Sequence, residues 1–544
     1  MPEEMLDVAI VGGGVSGVYA AWRLLTTKGG PKQVKVFEAG DHVGGRLLSA
    51  KPPFIDNMRA ELGGMRILPA VQPRITKLIA TLNQGAKTAD RIETYPFPVD
   101  QPGNISYLRG THLRLSDFTA NPSKVPYRLT FQEFGQTAGA LVVNAISQLL
   151  PGITDPTLTD AQRRAMTQAA SFDGVPLYKQ GFWQLLLRVM SDEAYQLGIA
   201  AGGYETTLSN WNAADAIPWF LSDFGVAPVY EGFRQGFQQV PLTLAKRVHA
   251  AGGEILTDRP VMGFDEIPGG IELHFRSGEA VRARQLILAM PRRALDLLSP
   301  NSAVLREERV VQLIRSVTPR PLFKVFTTYM EPWWLPAGVQ AGRTTTDLPV
   351  RQTYYWPKDD GKPALTGRAM LMASYDDGLN IGFWDGFRPK HGLHWRGHDE
   401  KVAMEWFQSE RKDPDADSKE WYDNKAPAAM VAEIQRQVAA IHGLKFVPRV
   451  EDASFKDWGD DPFGGGWNSW NIGVRSPHVK EHILKPADAP VYICGEAYSD
   501  AQGWVEGALQ TADMMLEKWF EVPVLSGGGE AGKKAGHKGP KSGA

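Results

Sequence analysis

The chain has 544 residues, 43% hydrophobic and 22% charged, with a formal net charge of −2. That length supports roughly three to four domains and a large buried core, while the near-neutral balance excludes a global basic field for nucleic acid or anionic lipid. One cysteine, Cys494, excludes an internal disulfide framework and cysteine-cluster metal sites. The first seven residues are acidic and run straight into a strand, leaving no room for a signal peptide, and no apolar run is long enough to span a membrane. A cytoplasmic protein without membrane or nucleic-acid partners is expected.

Residues 8–11 read as a strand, followed by Gly12-Gly13-Gly14-Val15-Ser16-Gly17, a helix-like segment over 18–25, and a second apolar run, Val34–Phe37, ending at Glu38. This is a GxGxxG turn in the context that gives it meaning. Gly12 permits the tight turn, Gly14 lets the backbone approach a pyrophosphate, and Gly17 lets the helix pack close to the strand. Glu38 follows about twenty residues later, where a carboxylate accepts ribose hydroxyls.

Residues 51–126 are polar and proline-rich; helical periodicity then predicts helices over 131–150, 160–170 and 181–197. An amphipathic helix over 242–251 precedes short strands over 254–256, 261–264, 271–275 and 281–289. Turns at 268–270 and 277–278 separate them, which reads as a small antiparallel or meander sheet. A last strand, Val491–Cys494, meets Gly495-Glu496 and a closing helix over 503–519. Strand, glycine, acid and helix at both ends predict an α/β fold, α+β overall, with a Rossmann-like domain assembled from both termini. The expected division is 1–50, 238–316 and 485–522 for the cofactor domain, 51–126 and 317–484 for a substrate-binding sheet domain, and 127–237 for a helical insertion. Residues 523–544, mostly Gly, Lys and Ala, read as a disordered tail.

Ala39-Gly40-Asp41-His42-Val43-Gly44-Gly45-Arg46 resembles the sequel to the dinucleotide unit in flavoproteins of the glutathione reductase and amine oxidase type, where the GG-R segment contacts the FAD pyrophosphate. Here His42 stands where those proteins have arginine. Glu61-Leu62-Gly63-Gly64-Met65-Arg66 is similar to the E-x-G-x-M-R segment of flavin-dependent L-amino acid oxidases, which lies near the isoalloxazine ring and whose arginine clamps the substrate carboxylate. A guanidinium suits that bidentate task; the alternative is a flavin contact or ordinary salt bridge. Arg343 to Pro349 and Tyr354-Tyr355-Trp356-Pro357 resemble the same family, in which a strand tyrosine also binds the carboxylate. Alternation sends only one of the two tyrosines into a site, and Tyr355 is preferred, with core packing as the other reading. Lys324 lies in the apolar run 322–326, an expensive place for an ammonium. The resemblance implies a water-bridged contact to flavin N5, against a snorkelling lysine as the alternative.

Gly495-Glu496 and Gly503-Trp504-Val505-Glu506-Gly507-Ala508 resemble the C-terminal flavin signature of the amine oxidase superfamily, with a helix N-terminus facing the flavin and Trp504 walling the substrate cavity. Phe463-Gly464-Gly465-Gly466-Trp467 aligns with the segment carrying the covalent flavin cysteine in monoamine oxidases. Trp467 in that place implies noncovalent FAD. The implied FAD contacts are Gly12, Gly14, Ser16, Gly17, Glu38, Ala39, Gly45, Arg46, Gly64, Met65, Arg66, Val261, Gly495, Glu496, Gly503, Trp504 and Val505. Lys324, Arg66 and Tyr355 are the implied catalytic set, with Tyr354, Trp219, Asp223, Trp467 and Trp504 around the substrate.

The activity so implied is oxidative deamination. An L-amino acid gives up hydride to FAD, water turns the imino acid into a 2-oxo acid and ammonia, and dioxygen takes the electrons to become hydrogen peroxide. Trp219, Phe220, Trp467 and Trp504 favour large neutral side chains, whereas Asp223 and Glu231 would pair with lysine or arginine; broad specificity is the expectation. An amino acid 2-monooxygenase, a monoamine or polyamine oxidase, and a noncatalytic FAD-binding protein remain the other readings. His391, His394 and His398 read as a polar loop without metal, and a homodimer is expected.

Overall fold

The computed structural model describes residues 5–224, 229–388 and 418–525. Two seven-stranded sheets dominate it. In the first, Leu6–Val11 lies between Val34–Phe37 and Ala280–Ala289, parallel to both, and Glu254–Leu256 extends the sheet beyond Val34–Phe37. Val8, Ala9 and Ile10 are wholly buried, as expected of a parallel strand covered on both faces.

On its other edge the long strand Ala280–Ala289 serves two further partners. Its first half pairs antiparallel with Gly270–Phe275, and its second half pairs parallel with Val491–Cys494. The strands expected to form a small antiparallel or meander sheet do pair antiparallel over Val261–Ile267, Gly270–Phe275 and Ala280–Ala289, and that meander is part of the dinucleotide sheet. Their local alternation is that of a hairpin, but the partner of the last strand comes from the chain's other end. Helices Val15–Thr26, Gln239–Ala250 and Val505–Phe520 pack together over this sheet, burying Val18, Leu24, Leu244 and Leu509. Each such side chain contributes about 1.5–3 kcal/mol on burial.

The second sheet runs in the order Asp452–Asp457, Phe323–Tyr329, Ala369–Asp376, Gln352–Tyr355, Gly342–Thr346, Ile105–Leu108, Thr111–Arg114. All seven residues of Phe323–Tyr329 are buried because the strand is paired on both edges. The polar 51–126 span divides between the two bodies. It supplies Ile105–Leu108 to this sheet, yet its helix Pro73–Leu82 places Ile75, Leu78 and Leu82 in the core of the dinucleotide sheet.

Helices Ala138–Leu149, Asp160–Ala169, Phe182–Leu186, Asp192–Gly202 and Ala213–Phe224 form the helical region. Two expected helices change length for capping reasons. Thr137 accepts from the Ala140 N–H and so starts the first at Ala138, leaving Phe131 97% exposed in the turns before it. Ser191 caps Asp192–Gly202, which breaks the predicted 181–197 helix in two. His391, His394, His398 and tail residues 526–544 lie outside the described residues.

Candidate active site

A cavity of about 1310 Å³ runs from the glycine turn to Arg66 and the aromatic residues of the helical region. Drug-sized pockets span roughly 300–1,000 Å³, so this one has room for a dinucleotide and a small substrate together.

At one end the Gly13 N–H donates to Glu38 Oε2 at 2.6 Å and the Gly40 N–H to Oε1 at 2.8 Å. The acid is thereby held at the lip of the turn. Gly12 has φ +110°, and a Cβ there would lie 2.4 Å from the Ala289 carbonyl oxygen. At Gly17 a Cβ would sit 2.0 Å from the Gly12 oxygen, so Gly17 serves the packing of helix on strand and does not line the cavity. Gly14 differs: its Cβ would meet only Gly45 Cα, at 4.0 Å, on the cavity wall.

The two chain ends meet at Arg46. Its guanidinium donates to the Gly466 carbonyl at 3.0 Å and pairs with Glu496 at 2.9 Å. Glu496 also accepts from the backbone and side chain of Asn468 and from the Gly503 N–H. Helix Val505–Phe520 begins here with Trp504 as N-cap, whose side chain makes no capping hydrogen bond. Its N-terminal N–H groups and positive dipole end therefore favour negative charge at this wall. Ser16, Ala39, Gly64, Met65, Val261 and Gly495 complete the lining on this side.

At the other end Arg66 is 5% exposed. Its guanidinium donates to the Tyr354 and Tyr204 hydroxyls, each at 3.2 Å, and lies 3.9 Å from the centroid of the Tyr230 ring. Among the described residues no carboxylate forms an ion pair with it. Burial opposes its charge, but Tyr204, Tyr354, Tyr230 and Asp223 outweigh that and hold it protonated.

Tyr355, the tyrosine preferred from sequence, points elsewhere. Its hydroxyl meets Thr344 Oγ1 and His442 Nε2, both at 2.8 Å, on the opposite face of the strand. The His442 Nδ1–H donates to the Val438 carbonyl, so Nε2 accepts from Tyr355. Alternation separates the tyrosines as expected, and the one beside Arg66 is Tyr354.

Lys324 lines the cavity and is 1% exposed; its ammonium donates to the Glu61 carbonyl at 3.1 Å and to the Gly63 carbonyl. Burial pushes its pKa down to about 7, with Glu61 opposing the shift. The Glu61 carboxyl, buried and held by the Ser49 hydroxyl and the Phe237 N–H, is pushed up to about 7 by the same desolvation. Neutral and charged forms of this lysine thus lie close in free energy near pH 7.

Trp219 and Trp467 stack 5.4 Å apart at 15°, with Trp211 edge-on to both, and Trp219 is anchored by its indole N–H on the Gln502 carbonyl at 2.7 Å. Trp504 lines the same wall. Asp223 lines the cavity too, whereas Glu231 does not: its backbone pairs with Pro96 and Ile67. Tyr204, Tyr375 and Asp377 also reach the cavity. They carry no local motif; the turn after Asp192–Gly202 and the end of strand Ala369–Asp376 bring them there.

A family model for flavin-containing amine oxidoreductases matches residues 15–388. Aplysianin-A of Aplysia kurodai is 27% identical over 95% of this chain and 91% of its own length. An L-amino-acid oxidase of Siganus canaliculatus is 22% identical over 93% of this chain and 83% of its own. A putrescine oxidase structure with putrescine bound has a TM-score of 0.61 at 18% identity, over 96% of this chain and 100% of that one, which shows a shared fold. The chain belongs to the flavin-containing amine oxidoreductases. It is an FAD-dependent oxidase, and the glycine cradle, Glu38, Arg46 and the open helix N-terminus fit that cofactor on their own chemistry.

Proposed function

We propose that this oxidase acts on L-amino acids, releasing a 2-oxo acid, ammonia and hydrogen peroxide. The observation that carries the reading is Arg66: a buried guanidinium, forked between two phenols and, among the described residues, in ion-pair contact with no carboxylate, in the wall of the cofactor cavity. A buried arginine is costly unless its charge is matched, and an α-carboxylate supplies the match through two parallel hydrogen bonds. A simple amine would leave it unmatched. FAD, when bound, accepts a hydride and passes two electrons to dioxygen.

The chain's own part is position and electrostatics. Arg66 and the Tyr354 hydroxyl hold the carboxylate, fixing the direction of the Cα–H. Lys324 Nζ, titrating near neutrality, holds or releases a proton at the cavity floor as the amine loses its own. The Trp219–Trp467 stack and Trp504 exclude water from the reacting carbon and give large side chains an apolar surface. Trp467 on the wall and Cys494 buried in the final strand support noncovalent FAD.

Product analysis tests the proposal. Incubation with an amino acid in air should yield 2-oxo acid, ammonia and peroxide in equal amounts. An amide with carbon dioxide would make the enzyme a 2-monooxygenase instead.

A further inference from the structure

The loop between Glu38 and Arg46 lines the cavity through Gly40, Asp41, His42, Gly44 and Gly45. Its backbone is tied to the dinucleotide-sheet side. The Asp258 N–H donates to the Gly40 carbonyl at 2.9 Å, the Gly44 N–H to the Gly13 carbonyl at 3.0 Å, and the Gln238 amide to the Val43 carbonyl at 2.9 Å. Asp41 reaches the other way. Its Oδ2 accepts from the Lys419 ammonium at 2.7 Å, while its Oδ1 lies 2.9 Å from His42 Nδ1.

Lys419 belongs to the opposite wall. It opens the short helix Lys419–Asp423, whose Trp421 is wholly buried and donates its indole N–H to Asp452 Oδ1 at 2.9 Å. The chain after it runs along the edge strand Asp452–Asp457 of the second sheet: the Phe455 N–H donates to the Asn424 carbonyl at 2.7 Å and the Ala426 N–H to the Ala453 carbonyl at 3.0 Å. Lys419, Glu420 and Asp423 line the cavity from this side. The Asp41–Lys419 pair thus joins two walls that are each anchored elsewhere. At 50% and 58% exposure, its side chains stand at the rim between cavity and solvent. Asp423 shares the ammonium at 2.6 Å, so two carboxylates hold Lys419. Lys419 first and His42 second keep the Asp41 carboxyl well below the usual carboxylate range, and the two acids raise Lys419 in turn.

An exposed ion pair adds little to the stability of a fold, because water screens it and two flexible side chains lose entropy in forming it. At this rim its place matters more than its strength. Parting the walls breaks the pair, so its energy enters the barrier to a ligand's escape. We infer that Asp41 and Lys419, steadied by His42 and Asp423, form a clasp across the rim that slows the loss of bound FAD. The inference rests on the cofactor alone and is independent of the amino acid reading.

The test follows FAD release from the diluted holoenzyme through the rise in flavin fluorescence. Asp41→Asn and Lys419→Met should each speed release about threefold, the size of one exposed ion pair. The double variant should be no faster than either single one, because both substitutions remove the same contact. Raising the ionic strength from about 0.05 M to about 0.5 M should speed release from the wild type about threefold and leave the double variant nearly unchanged. Thermal melts of the apoproteins serve as the folding control. Unaltered release in both single variants overturns the inference. So do effects that multiply in the double variant, which would make the two residues independent. Release from the wild type that ignores salt overturns it without recourse to any variant. FAD that stays on the acid-denatured chain overturns it too, because a covalent bond leaves the clasp nothing to retain.

Discussion

Arg66 is held in place by groups that cannot neutralise it, and this distinguishes it from the other buried arginine nearby. Arg343 pairs with Asp100 at 2.7 Å and with the Gln352 amide oxygen, so its charge is matched within the fold. Arg66 has no such ion pair among the described residues, and the proposed substrate carboxylate would supply one. Arg66→Lys keeps the charge but loses the planar fork, and kcat/KM for amino acids should fall about 10²–10³-fold. Tyr354→Phe should cost about tenfold, whereas Tyr355→Phe should act on stability, lowering it by about 1–3 kcal/mol because His442 and Thr344 lose a buried partner. Steady-state kinetics beside thermal melts separate these roles; a kinetic defect in Tyr355→Phe larger than that in Tyr354→Phe would reverse the assignment.

Lys324 gives a second residue-scale test. Its folded pKa, about 7, is below its ordinary value of 10.5, so folding disfavours the ammonium and the neutral amine prevails above about pH 7. Rapid-mixing rates of flavin reduction should rise with pH through an inflection near 7, and Lys324→Met should both slow them and flatten the profile. An unchanged inflection in Lys324→Met would assign the titration to another group, with Glu61 first in line. The candidate roles of Arg66 and Lys324 were legible in sequence because their motifs are local. The choice between Tyr354 and Tyr355 was not, since alternation says that the two oppose each other without saying which face meets the site.

At the scale of elements, the strand–turn–helix unit was readable because its geometry admits so few side chains. Gly14 and Gly17, three residues apart, nevertheless do different work. A Cβ on Gly17 collides with the Gly12 carbonyl, while one on Gly14 fits the fold and lies at the wall of the cavity that would hold the cofactor. Gly17→Ala should therefore lower yield and melting temperature, and Gly14→Ala should fold but bind FAD at least about tenfold more weakly. Flavin titration of the apoprotein, with circular dichroism as the folding control, checks both. Equal loss of fold in the two variants would contradict the distinction. Less legible were the sheet partners: a strand's own residues report its pleat and burial, not which distant segment lies beside it. Hence the run from 254 to 289 read as a small antiparallel or meander sheet: its last three strands pair that way, but Glu254–Leu256 pairs with Val34–Phe37, and Val491–Cys494 and Leu6–Val11 flank the last strand.

Across the whole molecule, the cavity exists because separate stretches converge on it. The N-terminal turn supplies the cradle, the C-terminal helix supplies its positive end, and Arg46 and Glu496 join them across 450 residues of chain. The substrate end draws on residues 61–66, the helical region and the second sheet, which explains why Tyr204, Tyr375 and Asp377 escaped notice in the sequence: none has a neighbour in the chain that shares its task. What the assembled cavity adds to membership of the amine oxidoreductases is a buried guanidinium, Arg66, that we propose binds the carboxylate of the substrate. The direct test is anaerobic reduction of the bound flavin by an L-amino acid and by the amine left when its carboxyl group is removed, such as L-lysine against 1,5-diaminopentane. Our account predicts that the amino acid bleaches the flavin at 450 nm at least about 10³-fold faster than the amine, because only the amino acid engages Arg66. Bleaching by the amine at an equal or greater rate would contradict it.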